Sequence, residues 1–121
     1  IKEQLQRKED NKYSEQVRDM IRYIRNHYGN EISLESLGDQ FHMNGVYLGQ
    51  IFKKETGETF LKYLTNYRIQ EAKRLLEDNK LSITEISELV GYRTSQYFSQ
   101  IFIKSVGMRP QEYRRWNKRK Q

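Results

Sequence analysis

Apolar residues recur along this chain three and four apart, at helical spacing, and strand-like alternation is scarce. Val17, Met20, Ile21, Ile24 and Tyr28 form the first stripe, entered through Ser14 as a cap and closed at Gly29. Leu34, Leu37 and Phe41 form a shorter one behind Ser33, and Asn44 caps a third helix that runs to Gly57. Thr59 opens a long helix ending near Asp78. Its stripe of Leu61, Leu64, Ile69, Ala72, Leu75 and Leu76 spans roughly 140°. Ser82 caps a short helix carrying Ile83, Ile86, Leu89 and Val90, and Gly91 permits a turn. A sixth helix starts at Thr94 or Ser95 and stops at Gly107. Pro110 suits the first position of a seventh, through Tyr113 to Trp116. The pattern predicts an all-α fold of seven helices.

Two stretches nearly duplicate one another: VYLGQIFKKETG, residues 46–57, and SQYFSQIFIKSVG, residues 95–107. Tyr47 aligns with Tyr97, Gln50 with Gln100, Ile51 with Ile101, Phe52 with Phe102, Lys54 with Lys104, Gly57 with Gly107 and Tyr63 with Tyr113. Upstream, Leu34 aligns with Ile83, Leu37 with Ile86 and Phe41 with Val90, so the second copy has one extra residue in its turn. Each copy reads as short helix, tight turn, longer helix, the helix-turn-helix plan in which the second helix enters a DNA major groove. A helical solenoid is the competing reading, but two copies are too few for one. The expected organisation is a linker over residues 1–13, a first helix-turn-helix over 14–58, a linker helix over 59–78, a second helix-turn-helix over 79–117 and a basic tail over 118–121.

Helical phase assigns faces. Tyr47, Leu48, Ile51 and Phe52 share one side of the third helix, and Tyr97, Phe98, Ile101 and Phe102 the matching side of the sixth; these are expected in the core. The opposite sides carry Val46, Gly49, Gln50, Lys53 and Lys54, and Gln96, Ser99, Gln100, Ile103 and Lys104, with Arg93 in the preceding turn. Carboxamides pair with adenine, lysine reaches guanine or phosphate, and Val46 suits a thymine methyl. Val46, Gly49, Gln50, Arg93, Gln96, Ser99 and Gln100 are therefore the candidate base contacts. The second copy carries more hydrogen-bonding groups and is expected to discriminate sequence more strongly. Candidate phosphate contacts are the helix starts at Asn44, Thr94 and Ser95, the side chains Lys53, Lys54, Lys104, Arg109 and Arg114, and Tyr92 near the turn. Arg68 falls within the linker's apolar stripe, where a charge needs a partner; Glu35, Asp39, Glu85 and Glu88 are the candidate carboxylates. The linker would be roughly 30 Å long, close to the ~34 Å recurrence of major grooves on one side of B-DNA.

Charge supports a polyanionic partner: 22 Lys and Arg stand against 16 Asp and Glu, net +6, with a pI near 9.5. With no cysteine, disulfides, thiolate metal sites and cysteine nucleophiles are excluded. No apolar run approaches the roughly 20 residues that span a bilayer. Only His27 and His42 are present, without a carboxylate pair or a Gly-rich phosphate loop, so the residues point away from an enzyme and imply no cofactor or metal. The competing binding function is a helical protein–protein interaction module, for which Ile103 and the aromatic C-terminal helix speak. RNA binding lacks its aromatic sheet or single-strand groove.

The stretches ISLESLGDQFHMNGVYLGQIFKKETGETFLKYLTNYRIQEAKRLLE and ITEISELVGYRTSQYFSQIFIKSVGMRPQEYRR resemble the DNA-binding domain of the AraC/XylS family of bacterial transcription regulators, over about residues 14–117. The YFSQIF core and the Gly-x-x-Pro-x-x-Tyr ending carry most of the likeness, and YLGQIFKKETG is similar to the output domains of response regulators. The resemblance implies two helix-turn-helix units joined by a long helix and promoter binding on double-stranded DNA in the cytoplasm. It also implies a sensing, receiver or dimerising domain upstream and RNA polymerase as a further partner, with activator or repressor action left open. It places base contacts on Val46, Gly49, Gln50, Arg93, Gln96 and Gln100. Many members carry Arg where this chain has Gln50 and Gln100, so guanine recognition is not implied at those two positions.

Overall fold

The computed structural model describes residues 12–120, and these form seven α-helices without a strand. They are α1 (Glu15–His27), α2 (Leu34–Phe41), α3 (Gly45–Thr56), α4 (Phe60–Glu77), α5 (Ile83–Leu89), α6 (Ser95–Val106) and α7 (Pro110–Lys120). Most of the expected linker 1–13 lies outside the described residues. The last helix outruns its expected end at Trp116: Asn117 is buried on it, and Lys118, Arg119 and Lys120 form its final turn. Cations there face the negative end of the helix dipole, which favours helix over a loose tail.

Local chemistry sets the boundaries. Ser33 and Ser36 satisfy each other's backbone amides at 3.0 and 3.2 Å, and Ser82 and Glu85 do the same at 3.1 Å each way. Asn44 Oδ1 accepts from the Val46 and Tyr47 amides, and Thr94 Oγ1 from Tyr97. Gly57 and Gly107 end α3 and α6 at φ 84° and 90°, a left-handed conformation that glycine adopts without a Cβ clash.

The described chain divides into two compact units. One holds the residues up to His27 with Ile32–Leu64; the other holds Tyr28–Glu31 with the residues from Thr65 onward. The boundary falls inside α4. In the first unit, Val17, Met20, Ile21 and Ile24 of α1 are buried, together with Leu37, Leu48, Phe52, Phe60 and Leu64. Phe52 meets Phe60 and Tyr63 edge-on at 5.5 and 5.2 Å. The turn between α2 and α3 is tight: a Cβ on Gly38 would lie 2.6 Å from the Met43 carbonyl oxygen. In the second unit, Tyr92, Phe98, Phe102 and Tyr113 form a continuous file of rings 5.7–5.8 Å apart over Ile69, Ala72, Leu76, Ile86 and Val90.

Two expectations about α4 need correction. Leu61 is 71% exposed and lies outside the buried stripe. Arg68 finds no carboxylate among Glu35, Asp39, Glu85 or Glu88. Its Nε donates to the Tyr28 carbonyl and its Nη2 to the Asn30 carbonyl, both at 2.8 Å, and its guanidinium lies 5.3 Å over the Tyr92 ring. Carbonyls just past a helix end lack intrahelical donors, so a planar cation meets them without burying a second charge.

Candidate nucleic-acid interface

In α3, Leu48 and Phe52 are fully buried and stand about 40° apart around the axis, which turns the far side of the helix to solvent. Val46 is 70% exposed there, and Gln50, Lys53 and Lys54 are exposed beside it. In α6, Phe98 and Phe102 hold the same buried phase, leaving Gln96, Gln100 and Lys104 exposed, with Arg93 and Thr94 exposed in the turn before it. The aligned glutamines thus occupy equivalent outward positions, each on the face opposite its own unit's core.

Gly49 departs from this face. It is half-buried, and a Cβ there would meet Leu34 Cδ1 of α2 at 2.9 Å, so the position serves the packing of α2 on α3. The aligned Ser99 is also half-buried and lines an open cleft of about 570 Å³ with Ile83, Gln96, Gln100, Ile103 and Arg109. Ile103, 41% exposed, is therefore one wall of a groove on the outward side of α6.

The expected phosphate contacts divide into three groups. Lys53, Lys54 and Lys104 are exposed, and Arg109 is exposed with its Nε 3.8 Å from Glu112 Oε1. At the helix starts, the Asn44 side chain already accepts from Val46 at 2.8 Å and Tyr47 at 3.2 Å, so those amides have an acceptor within the chain. Thr94 engages the Tyr97 amide alone, leaving the amides of half-buried Ser95 and of Gln96 without an acceptor from the cap side chain. Arg114 and Tyr92 are corrected. Arg114 is half-buried and donates through Nε to Leu76 and through Nη2 to Asp78 and Leu81, all backbone carbonyls, at 2.7 to 3.2 Å. Tyr92 is buried beneath Arg68 against Phe98.

Tyr47 and Tyr97, expected in the core, are 49% and 54% exposed. Each lies in its helix's first turn, about 100° from its buried neighbour Leu48 or Phe98, at the margin between the two faces. Their recurrence in both copies was the signal that could have singled them out.

Positive charge is unevenly placed. α7 alone carries Arg114, Arg115, Lys118, Arg119 and Lys120 against Glu112, most of the net +6. The outward face of α6 is mainly neutral carboxamide and hydroxyl. Such a face supplies directional hydrogen bonds, and Arg93 and Lys104 are exposed beside it. Among the described residues no cluster of His, Asp or Glu gathers to hold a metal ion, and no helix is long and apolar enough to cross a membrane.

Comparison with known proteins agrees with this geometry. A family described as a helix-turn-helix domain matches residues 37–115. The transcriptional regulatory protein YesN of Bacillus subtilis is 40% identical over 100 residues, covering 79% of this chain and 27% of YesN. The chain spans well under half the length of the curated relatives it matches. Among solved structures, the C-terminal domain of AraT, a response regulator from Geobacillus stearothermophilus, is 40% identical with a TM-score of 0.82, over 84% of this chain and 85% of that one. The DNA-binding domain of the global transcriptional factor AdpA, solved with a target DNA, shares the fold at 23% identity and a TM-score of 0.82, covering 89% of this chain and 97% of that one.

Proposed function

The chain belongs to the AraC/XylS family of helix-turn-helix transcription regulators, and on that premise we propose that it binds double-stranded promoter DNA by sequence, with α3 and α6 each laid in a major groove. The observation that carries this is the equivalent outward placement of Gln50 and Gln100 on two helices whose other faces are buried. Carboxamides so placed make paired hydrogen bonds to adenine N6 and N7. Val46 and Gln50 serve one groove; Arg93, Gln96 and Gln100 serve the other. Ser99 reaches bases only across the cleft it lines, and Gly49 acts through packing. Lys53, Lys54, Lys104 and Arg109 hold phosphates, as do the start of α6 at Thr94 and Ser95 and, less directly, that of α3 at Asn44.

The reading extends to one chain covering two adjacent grooves of a non-palindromic site, one helix-turn-helix unit to each. The greater length of YesN and the AraT likeness support a receiver or sensor domain upstream, joined through residues 1–13. The protein would then act in the cytoplasm, at promoters, beside RNA polymerase.

A salt series on duplex binding tests the reading. Affinity should fall steeply as salt rises, because phosphate contacts release counterions. Indifference to duplex DNA at low salt would favour the protein-interaction module instead, for which half-exposed Ile103 and Trp116 would be the contact.

A further inference from the structure

Tyr47 and Tyr97 are the third residues of α3 and α6, and both hold large aromatic side chains half in solvent at aligned positions. Each stands about 60° around its helix from Gln50 or Gln100 and about 4.5 Å nearer the N-terminus. A helix with its side chains is about 10–12 Å across and the major groove about 12 Å wide. A side chain at mid-face therefore meets base edges, and one set some 60° aside meets the sugar–phosphate wall. The tyrosine amides are already taken by the caps, Tyr47 at 3.2 Å from Asn44 Oδ1 and Tyr97 at 3.1 Å from Thr94 Oγ1. The donor each tyrosine has left is its phenol. Tyr97 is also steadied: its ring meets the buried Tyr92 edge-on at 5.7 Å, and Tyr92 is itself covered by Arg68.

We propose that the Tyr47 and Tyr97 hydroxyls each donate a hydrogen bond to a DNA phosphate oxygen on the same wall of their respective grooves, beside the bases that Gln50 and Gln100 meet. This rests on the DNA-binding reading above and adds two contact residues to it. A phenol is a neutral donor and releases no counterion, so its loss has a signature different from that of a lysine.

The test uses the 121-residue chain and a duplex of roughly 30 base pairs selected from a random pool by the wild type. Tyr47→Phe and Tyr97→Phe should each weaken binding roughly threefold to tenfold. The loss should be equal on every single-base variant of the duplex, with the salt slope and the melting temperature unchanged. Lys54→Ala, run beside them, should lower the salt slope by about one. Wild-type affinity in both Phe variants would overturn the proposal while leaving DNA binding standing. A loss confined to one base pair would also overturn it, because the tyrosine would then be reading a base. If the wild type selects no sequence at all, the DNA reading falls and this contact falls with it.

Discussion

Arg68 and Arg114 finish two different helices with the same fork. Arg68 donates Nε and Nη2 to the Tyr28 and Asn30 carbonyls beyond α1, and Arg114 donates Nε and Nη2 to the Leu76, Asp78 and Leu81 carbonyls at and beyond the end of α4. Both act within the unit that contains α6. Each places a cation at the negative end of a helix and satisfies carbonyls that have no intrahelical donor.

Arg68→Met should therefore destabilise the fold by about 2 kcal/mol, since it strands two carbonyls and uncovers Tyr92. Arg68→Lys should recover little of this, because an ammonium cannot present the planar fork. Thermal melting checks the cost, and binding to base-substituted duplexes should show unchanged base preference. A loss of binding with unaltered melting would contradict the structural role.

Arg114→Ala should lower the melting temperature by several degrees, in keeping with the loss of about 1–3 kcal/mol of charged hydrogen bonding. The salt dependence of DNA binding should not change. Lys104→Ala should do the reverse, leaving melting intact and reducing the salt slope by about one. A reduced slope with wild-type melting in the Arg114 variant would return that residue to the DNA surface.

Gln50→Ala and Gln100→Ala should relax base preference, each by about 1–3 kcal/mol against the wrong base. Gln100 is flanked by exposed Gln96 and Arg93, whereas Gln50 is accompanied by Val46 and by Gly49, which packs on Leu34. Base-substitution scanning should accordingly find the α6 half-site the more sensitive of the two.

Burial pushes the Tyr92 phenol above its ordinary value of 10.0, with the Arg68 charge opposing, and burial pushes Tyr113 the same way, with Glu77 adding to it. A raised folded-state value favours the neutral phenol in the fold. The resulting stability is complete below about pH 10, the unfolded value, and is lost as pH rises through the folded values. Denaturant unfolding should show a plateau to about pH 10 and a decline above it. Tyr92→Phe should make the decline shallower.

Much of this architecture follows from short-range chemistry that the chain displays openly. Ser33, Asn44, Ser82 and Thr94 cap the helices they precede, and Gly57 and Gly107 end the two they follow. The outward phase of Gln50 and Gln100 followed from helical periodicity alone. What escaped the pattern depended on partners distant in sequence or on residues that suit two environments. Carbonyls carry no sequence signature, so the acceptors of Arg68 and Arg114 were invisible. A tyrosine at the margin of a helix face is consistent with core or surface, and Tyr47 and Tyr97 took the surface. Gly49 looked like an open face until Leu34 lay across it. The polar run after Trp116 offered no stripe, yet α7 continues through it with Asn117 buried.

The most direct test of the central claim is selection of bound sequences from a random duplex pool by the wild-type chain. The account predicts a site of two unlike blocks centred about 10 base pairs apart, one helical turn. Adenine should be enriched where Gln50 and Gln100 fall, and the α6 block should carry the greater information. A single block, two blocks with freely varying spacing, or no enrichment would contradict it.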